Sequence, residues 1–152
     1  MQLKELIISE TLTIRELSVN ELERAFSIVS QLRPHLTIEK YIEIVTDMKN
    51  SGYQIICLFE CGEIVSYAGF AKLNNLYYGN HIWIYELVTD SDRRSKGYGK
   101  LLLSNIEKYA KDNDLNCVAL SSGLQRENAH KFYDTADYET RKSILTYSLK
   151  HT

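Results

Sequence analysis

The stretch from His81 to Leu120 constrains the fold more than any other part of this 152-residue chain. His81 to Thr89 carries Trp83, Ile84, Tyr85, Leu87 and Val88 and reads as a strand. The chain then turns polar at Asp90-Ser91-Asp92-Arg93-Arg94. A long helix follows, over about 97 to 113, because Tyr98, Leu102, Ile106 and Tyr109 recur at helical spacing and make one apolar face. Cys117-Val118-Ala119-Leu120 is apolar almost throughout, the texture of a short strand covered on both faces. Strand, helix and strand in that order form a β-α-β unit.

The flanking segments extend this unit into a mixed α/β sheet. Leu12 to Glu16 alternates like a short strand. Ser18 stands three residues before Glu21, a capping-box spacing for a helix running to about Gln31, and Pro34 interrupts it. Thr37 can cap a second helix with Tyr41, Ile42, Ile44, Val45 and Met48 on its apolar side. Gln54 to Phe59 and Glu63 to Phe70 are strands joined by a turn at Glu60-Cys61-Gly62-Glu63. Glu127 to Thr135 reads as a helix and Ile144 to Leu149 as a last strand. With one proline and seven scattered glycines, no linker or repeat breaks the chain. The expectation is one domain over residues 1–152.

Composition excludes some functions. Eighteen basic against 20 acidic side chains give a net charge of −2, so nothing draws the whole chain to nucleic acid or to an anionic membrane. An anion site must be local. No run approaches membrane-span length, and the N-terminus lacks the apolar stretch of a signal peptide. Cys57, Cys61 and Cys117 are expected to be reduced thiols of a cytoplasmic protein. No second Cys/His pair follows Cys57 and Cys61 at zinc-site spacing, so no metal is expected.

The candidate anion site is the loop Arg94-Ser95-Lys96-Gly97-Tyr98-Gly99, which leads straight from strand to helix. First-turn amides there are unpaired donors at the positive end of the helix dipole, an arrangement that binds phosphate. Two glycines at a helix start are costly, by roughly 1 kcal/mol each relative to alanine. Arg93, Arg94, Lys96 and Lys100 place four cations within eight residues, although cations at a helix N-terminus oppose the dipole. Both oddities make sense if a polyanion binds there. Taken alone, a G-x-G pair and a charge cluster are more often a helix start and a solvated face. The loop is not a P-loop, and G-x-G-x-x-G fails because position 102 is leucine.

Arg94-x-x-Gly97-x-Gly99 resembles the R/Q-x-x-G-x-G/A signature of the GNAT superfamily of N-acetyltransferases. Leu87-Val88-Thr89-Asp90 before it and Leu101-Leu102-Leu103 after it are similar to the family's flanks. The segment Ser121 to Tyr133 resembles the family's late N-x-x-x-x-Y helix, with Asn128 and Tyr133 in the key places. The element order matches over nearly the whole chain.

The resemblance implies a mixed, mostly antiparallel sheet flanked by helices and splayed between the fourth and fifth strands counted above. It implies acetyl-CoA as co-substrate and direct transfer of acetyl to a primary amine of a small molecule or peptide. Amides of Arg94, Ser95, Lys96, Gly97, Tyr98, Gly99 and Lys100 would hold the pyrophosphate. Strand backbone over Leu87, Val88 and Thr89 would hold the pantetheine arm, with Asn128 contacting it. Tyr133 would be the acid for the leaving thiolate. Glu86, just before Leu87, is the candidate base, with a solvated strand residue or a substrate-binding carboxylate as the plainer readings. His81 is a weak reserve. The acceptor pocket is expected around Arg33-Pro34-His35 and near Tyr77, Tyr78 and His81. Ser95 stands where the family commonly has glycine, a change of little consequence if its φ is negative. Ile144 to Leu149, as an edge, could pair two copies into a homodimer. A non-catalytic acyl-CoA-binding module on the same fold is the alternative reading.

Overall fold

The computed structural model describes residues 3–122, 138–140 and 145–149. These fall into two compact units, one drawn from residues 1–70 and 86–105, the other from 71–85 and from 106 onward.

In the first unit β1 (Leu6–Ile7), β2 (Leu12–Glu16), β3 (Gln54–Glu60) and β4 (Glu63–Asn75) lie side by side. β5 (Gly79–Thr89) follows β4 in order. The pairs β1–β2, β2–β3 and β3–β4 are antiparallel. Ile55, Ile56, Cys57 and Leu58 are all buried, so β3 is covered on both faces, as its unbroken apolar run requires. The β3–β4 turn is a two-residue hairpin with Cys61 at φ 49° and Gly62 at φ 81°, the doubly left-handed turn that matches strand twist. The two-residue β1, at the sheet edge, has too little pattern to be seen in sequence.

Ser18 opens a 3₁₀ turn over Val19–Glu21 that runs into α1 (Leu22–Leu32). The Glu21 carboxylate accepts from the Ser18 backbone N–H at 3.3 Å and from its hydroxyl at 3.0 Å. The same carboxylate takes a two-pronged contact from Arg15, at 2.8 and 2.7 Å. That contact is the chief reason its pKa falls from about 4.5 to about 2. A depressed folded-state pKa means that this stabilisation is present above pH 4.5 and lost as pH falls through 2. Glu21→Gln is therefore expected to flatten the fall of the urea midpoint across that window. A variant that tracks the parent through the same window would refute this.

α2 (Ile38–Lys49) is capped by Thr37, whose hydroxyl accepts from the Lys40 N–H at 3.2 Å. Tyr41 and Val45 are buried, but Ile44, expected on the apolar face, is 37% exposed.

In the second unit the order is β5, β6 (Val118–Ser122), β8 (Leu145–Leu149), β7 (Tyr138–Thr140). β5 and β6 are parallel, pairing Ile82 with Val118, Trp83 with Ala119 and Ile84 with Leu120, where the pairing ends. β6–β8 and β7–β8 are antiparallel. The sheet is thus mixed and mostly antiparallel, as expected. The strand Ile144 to Leu149 is not the edge, because β8 is paired on both sides and β7 lies outside it. α3 (Tyr98–Asp112) buries Tyr98, Leu102, Leu103, Ile106 and Ala110. Among the described residues no helix is long and apolar enough to cross a membrane.

Candidate active site

The loop after β5 is tied down before it reaches the helix. The Asp90 N–H donates to Val65 O at 2.9 Å. The Asp90 carboxylate accepts from the Asp92 N–H at 3.3 Å, capping a 3₁₀ turn over Ser91–Arg93. Gln31, near the end of α1, accepts from the Ser91 N–H at 2.9 Å and donates to Asp90 at 3.3 Å. Glu60, at the end of β3, takes hydrogen bonds from both the Arg93 guanidinium and the Tyr98 hydroxyl. Arg93 also reaches Glu63 at 3.1 Å. Arg93 is thereby a strut of the loop, and the four expected anion-facing cations become three.

Between these struts the main chain curls. Ser95 has φ 67° and Gly97 has φ 79°. A Cβ on Gly97 would meet nothing within 4 Å, so glycine serves here for its left-handed backbone and not for space. Among the described residues no acceptor meets the N–H groups of Arg94 through Lys100; the first helical bond is Leu101 N–H to Gly97 O, at 3.0 Å. Such a run of inward-curled amides at a helix start is an anion cradle. Arg94, Lys96 and Lys100 are exposed and form no ion pair among the described residues.

The condition under which serine would cost little, a negative φ at position 95, is not met. A residue with a Cβ is strained at the positive φ found here. Ser95→Gly is expected to raise stability by about 0.5–1 kcal/mol after the entropy of the unfolded glycine is deducted. A urea midpoint that moves up at constant slope supports this; a lower midpoint refutes it.

On β5, Val88 O accepts from the Ser66 hydroxyl at 3.1 Å, so the Val88 peptide faces β4. The Ser66 hydroxyl also lies 2.9 Å from that of Thr89. The Asp90 N–H is likewise turned to β4, so the backbone groups of Thr89, between the two, face away from it.

Glu86, on β5, is a largely buried acid. Its side chain is 17% exposed. Oε1 accepts a 2.5 Å hydrogen bond from the Tyr53 hydroxyl, and Oε2 lies 3.7 Å from Arg33 Nη2. Burial raises its pKa, opposed by the Tyr53 hydrogen bond and the Arg33 charge. Behind Tyr53 the hydroxyl of Tyr67 lies at 3.1 Å, and Tyr41 donates to Tyr67 at 3.1 Å. All three tyrosines are buried.

Gly69, on β4, makes this approach possible. A methyl carbon there would lie 2.5 Å from Tyr53 Cζ and 2.6 Å from Glu86 Oε1, and would overlap the Tyr53 hydroxyl. Sequence reading missed Tyr41, Tyr53, Tyr67 and Gly69 as a group. The available signal was a glycine inside the apolar run Val65 to Phe70, which marks a close approach.

Of the expected pocket residues, Arg33 does reach Glu86. His81 belongs to a separate cluster in the second unit. It is fully buried, its Nδ1 is 2.8 Å from Gly79 O, and its ring lies 5.0 Å from that of Tyr78. Asn116 donates to Tyr78 O there at 3.0 Å. Tyr77 is 65% exposed. Cys57 is buried in β3 and Cys61 is exposed on the turn. Asn128 and Tyr133 lie outside the described residues.

Residues 17–138 match the family model described as Acetyltransferase (GNAT) family. A relative in Bacillus subtilis, the uncharacterised N-acetyltransferase YhdJ, is 38% identical over 117 residues, covering 76% of this chain and 82% of its own. The fold is similar to that of the PaiA N-acetyltransferase of Thermoplasma acidophilum in complex with coenzyme A. That likeness has a TM-score of 0.72 at 19% identity and covers 93% of this chain and 99% of the other. YncA of Salmonella typhimurium, solved with its cofactor acetyl-CoA, matches with a TM-score of 0.72 at 14% identity, over 93% of this chain and 94% of its own. With a family model spanning most of its length and a relative this similar, the chain belongs to the GNAT acetyltransferase family.

Proposed function

We propose that this protein transfers an acetyl group from acetyl-CoA to a primary amine of a small molecule or peptide by direct attack within a ternary complex. The observation that carries this reading is the run of N–H groups from Arg94 to Lys100 without acceptors among the described residues, flanked by three cations without ion pairs. That donor set suits a diphosphate, and the coenzyme A in the PaiA structure contains one. Backbone at Leu87 and Thr89, on the strand that leads into this loop, is suited to hydrogen-bond an extended arm.

When bound, acetyl-CoA supplies the thioester carbon that the amine attacks and the thiolate that leaves. An alkylammonium has a pKa of roughly 10, so the acceptor must lose a proton before it can attack. Glu86 takes that proton, directly or through a water. Its raised pKa brings a carboxylate closer to the working pH, which favours a general base. Tyr133 gives a proton to the leaving sulfur and is restored by the second proton that the nitrogen sheds as the amide forms, so the products are a neutral amide, a free thiol and one proton held on Glu86 for release to water. Asn128 steadies the pantetheine.

Acetyl-CoA at about a hundred times its Kd is expected to raise the melting temperature by about 5–10 °C. ATP and NAD should leave it unchanged. Equal shifts with all three ligands would overturn the reading. Thiol release over polyamines, amino acids, aminoglycosides and peptides then identifies the acceptor class. Coenzyme binding with no release over that whole panel would favour a non-catalytic acyl-CoA-binding module.

A further inference from the structure

We propose that Tyr53 is the positioning residue for Glu86, and that Tyr41, Tyr67 and Tyr53 form a one-way hydrogen-bonded chain that clamps Oε1 and leaves Oε2 to take the substrate proton. The proposal rests on Glu86 being the base.

The direction of the chain follows from counting hydrogens. A phenol hydroxyl has one hydrogen to give. The Tyr53 hydrogen goes to Glu86 Oε1, because an ionised carboxylate can only accept. Tyr67 must then donate to Tyr53 across their 3.1 Å contact, and Tyr41 donates to Tyr67 at 3.1 Å. Every link points toward Glu86. Hydrogen bonds aligned in this way polarise one another and strengthen the last of them, the more so away from water. Tyr67 is fully buried, and Tyr41 and Tyr53 are 3% and 5% exposed.

The chain is assembled from separate elements, so it cannot drift as a unit. Tyr41 comes from α2, Tyr67 from β4, Tyr53 from the residue before β3, and Glu86 from β5. Among the described residues the charged and titratable groups facing the carboxylate are Tyr53 and, on Oε2, Arg33. Cys57 adds a buried thiol near Tyr41. The Arg33 contact, at 3.7 Å with a half-exposed guanidinium, is the looser of the two and the one an incoming ammonium can replace. Oε1 is the fixed oxygen and Oε2 the exchangeable one.

The test is the titration of the Glu86 carboxyl by carbon-13 NMR in the intact protein, with the resonance assigned through Glu86→Gln. Tyr53→Phe removes the donor to the charged form, so the midpoint should rise by about one pH unit. Tyr67→Phe leaves that donor in place but depolarises it, so the midpoint should rise less and in the same direction. Where Tyr53→Phe does not fold, Tyr67→Phe decides. A midpoint that stays or falls overturns the chain. Once an acceptor is in hand, the acid limb of kcat/KM should move up with the NMR midpoint while KM for acetyl-CoA stays constant; an unmoved limb also overturns the proposal. The NMR arm needs no acceptor, so it can fail while the enzyme reading stands. Full turnover in Glu86→Gln would instead remove the base assignment, whatever the NMR showed.

Discussion

Glu86→Gln is expected to lower turnover by about 10²- to 10⁴-fold and to leave the acetyl-CoA melting shift intact. The amide has nearly the shape of the carboxylate and can still accept from Tyr53, but it cannot take a proton from an ammonium at neutral pH. The proposed coenzyme cradle is the Arg94–Lys100 loop, whereas Glu86 bonds to Tyr53 and Arg33. The pH profile separates a base from a mere ligand. In the parent, activity should fall on the acid side with an apparent pKa above the ordinary glutamate range, because burial raises that of Glu86. In the variant that limb should vanish from the residual rate. Turnover within about threefold of the parent, or an increase confined to KM for the amine, would assign Glu86 to substrate binding. Loss of fold is not the expected cause, since an amide removes the cost of a buried charge.

Gly69→Ala is expected to destabilise the protein by about 1–3 kcal/mol, as overpacking does in a well-filled core. It should also raise the Glu86 titration midpoint, as loss of the Tyr53 contact does. The added methyl would sit 2.6 Å from Glu86 Oε1 and overlap the Tyr53 hydroxyl. Tyr53 is 5% exposed, in an interior packed closely as such cores are, and Gly69 is held by its pairing with Ile55. The space must come from separating Tyr53 and Glu86. A urea midpoint at parental value together with an unchanged Glu86 titration would show that the cluster absorbs a methyl, and would refute the requirement for glycine. The double variant Gly69→Ala, Tyr53→Phe is informative as well. Removing the hydroxyl should recover part of the stability, because the overlap is chiefly with that oxygen.

Local pattern was sufficient for much of this architecture. The 3.6-residue spacing of Tyr98, Leu102 and Ile106 produced a helix that buries those residues. Ser18 with Glu21, Thr37, and Glu60-Cys61-Gly62-Glu63 are rules that operate within a few residues, and each holds in the fold. The candidate anion loop was legible for the same reason: its amides, glycines and cations are contiguous. Where pairing over distance decides the outcome, local pattern was silent. Nothing within Leu145–Leu149 records that β7 covers its outer side and moves it off the edge. Arg93 reads as one more loop cation until Glu60, 33 residues away, takes it. The sign of φ at Ser95 depends on where the tied ends of its loop lie.

Glu86 shows the same division most sharply. Its place just before Leu87, together with the family resemblance, made Glu86 a candidate base. Its environment is supplied by Arg33, Tyr53, Tyr67 and Tyr41, from four other stretches of chain, in a gap that exists only because position 69 has no side chain. A sequence specifies hydrogen bonds and dipoles between neighbours directly, since backbone geometry sets those distances. Desolvation and contacts between residues far apart in the chain arise only when the strands have paired, and it is these that set the acidity of Glu86.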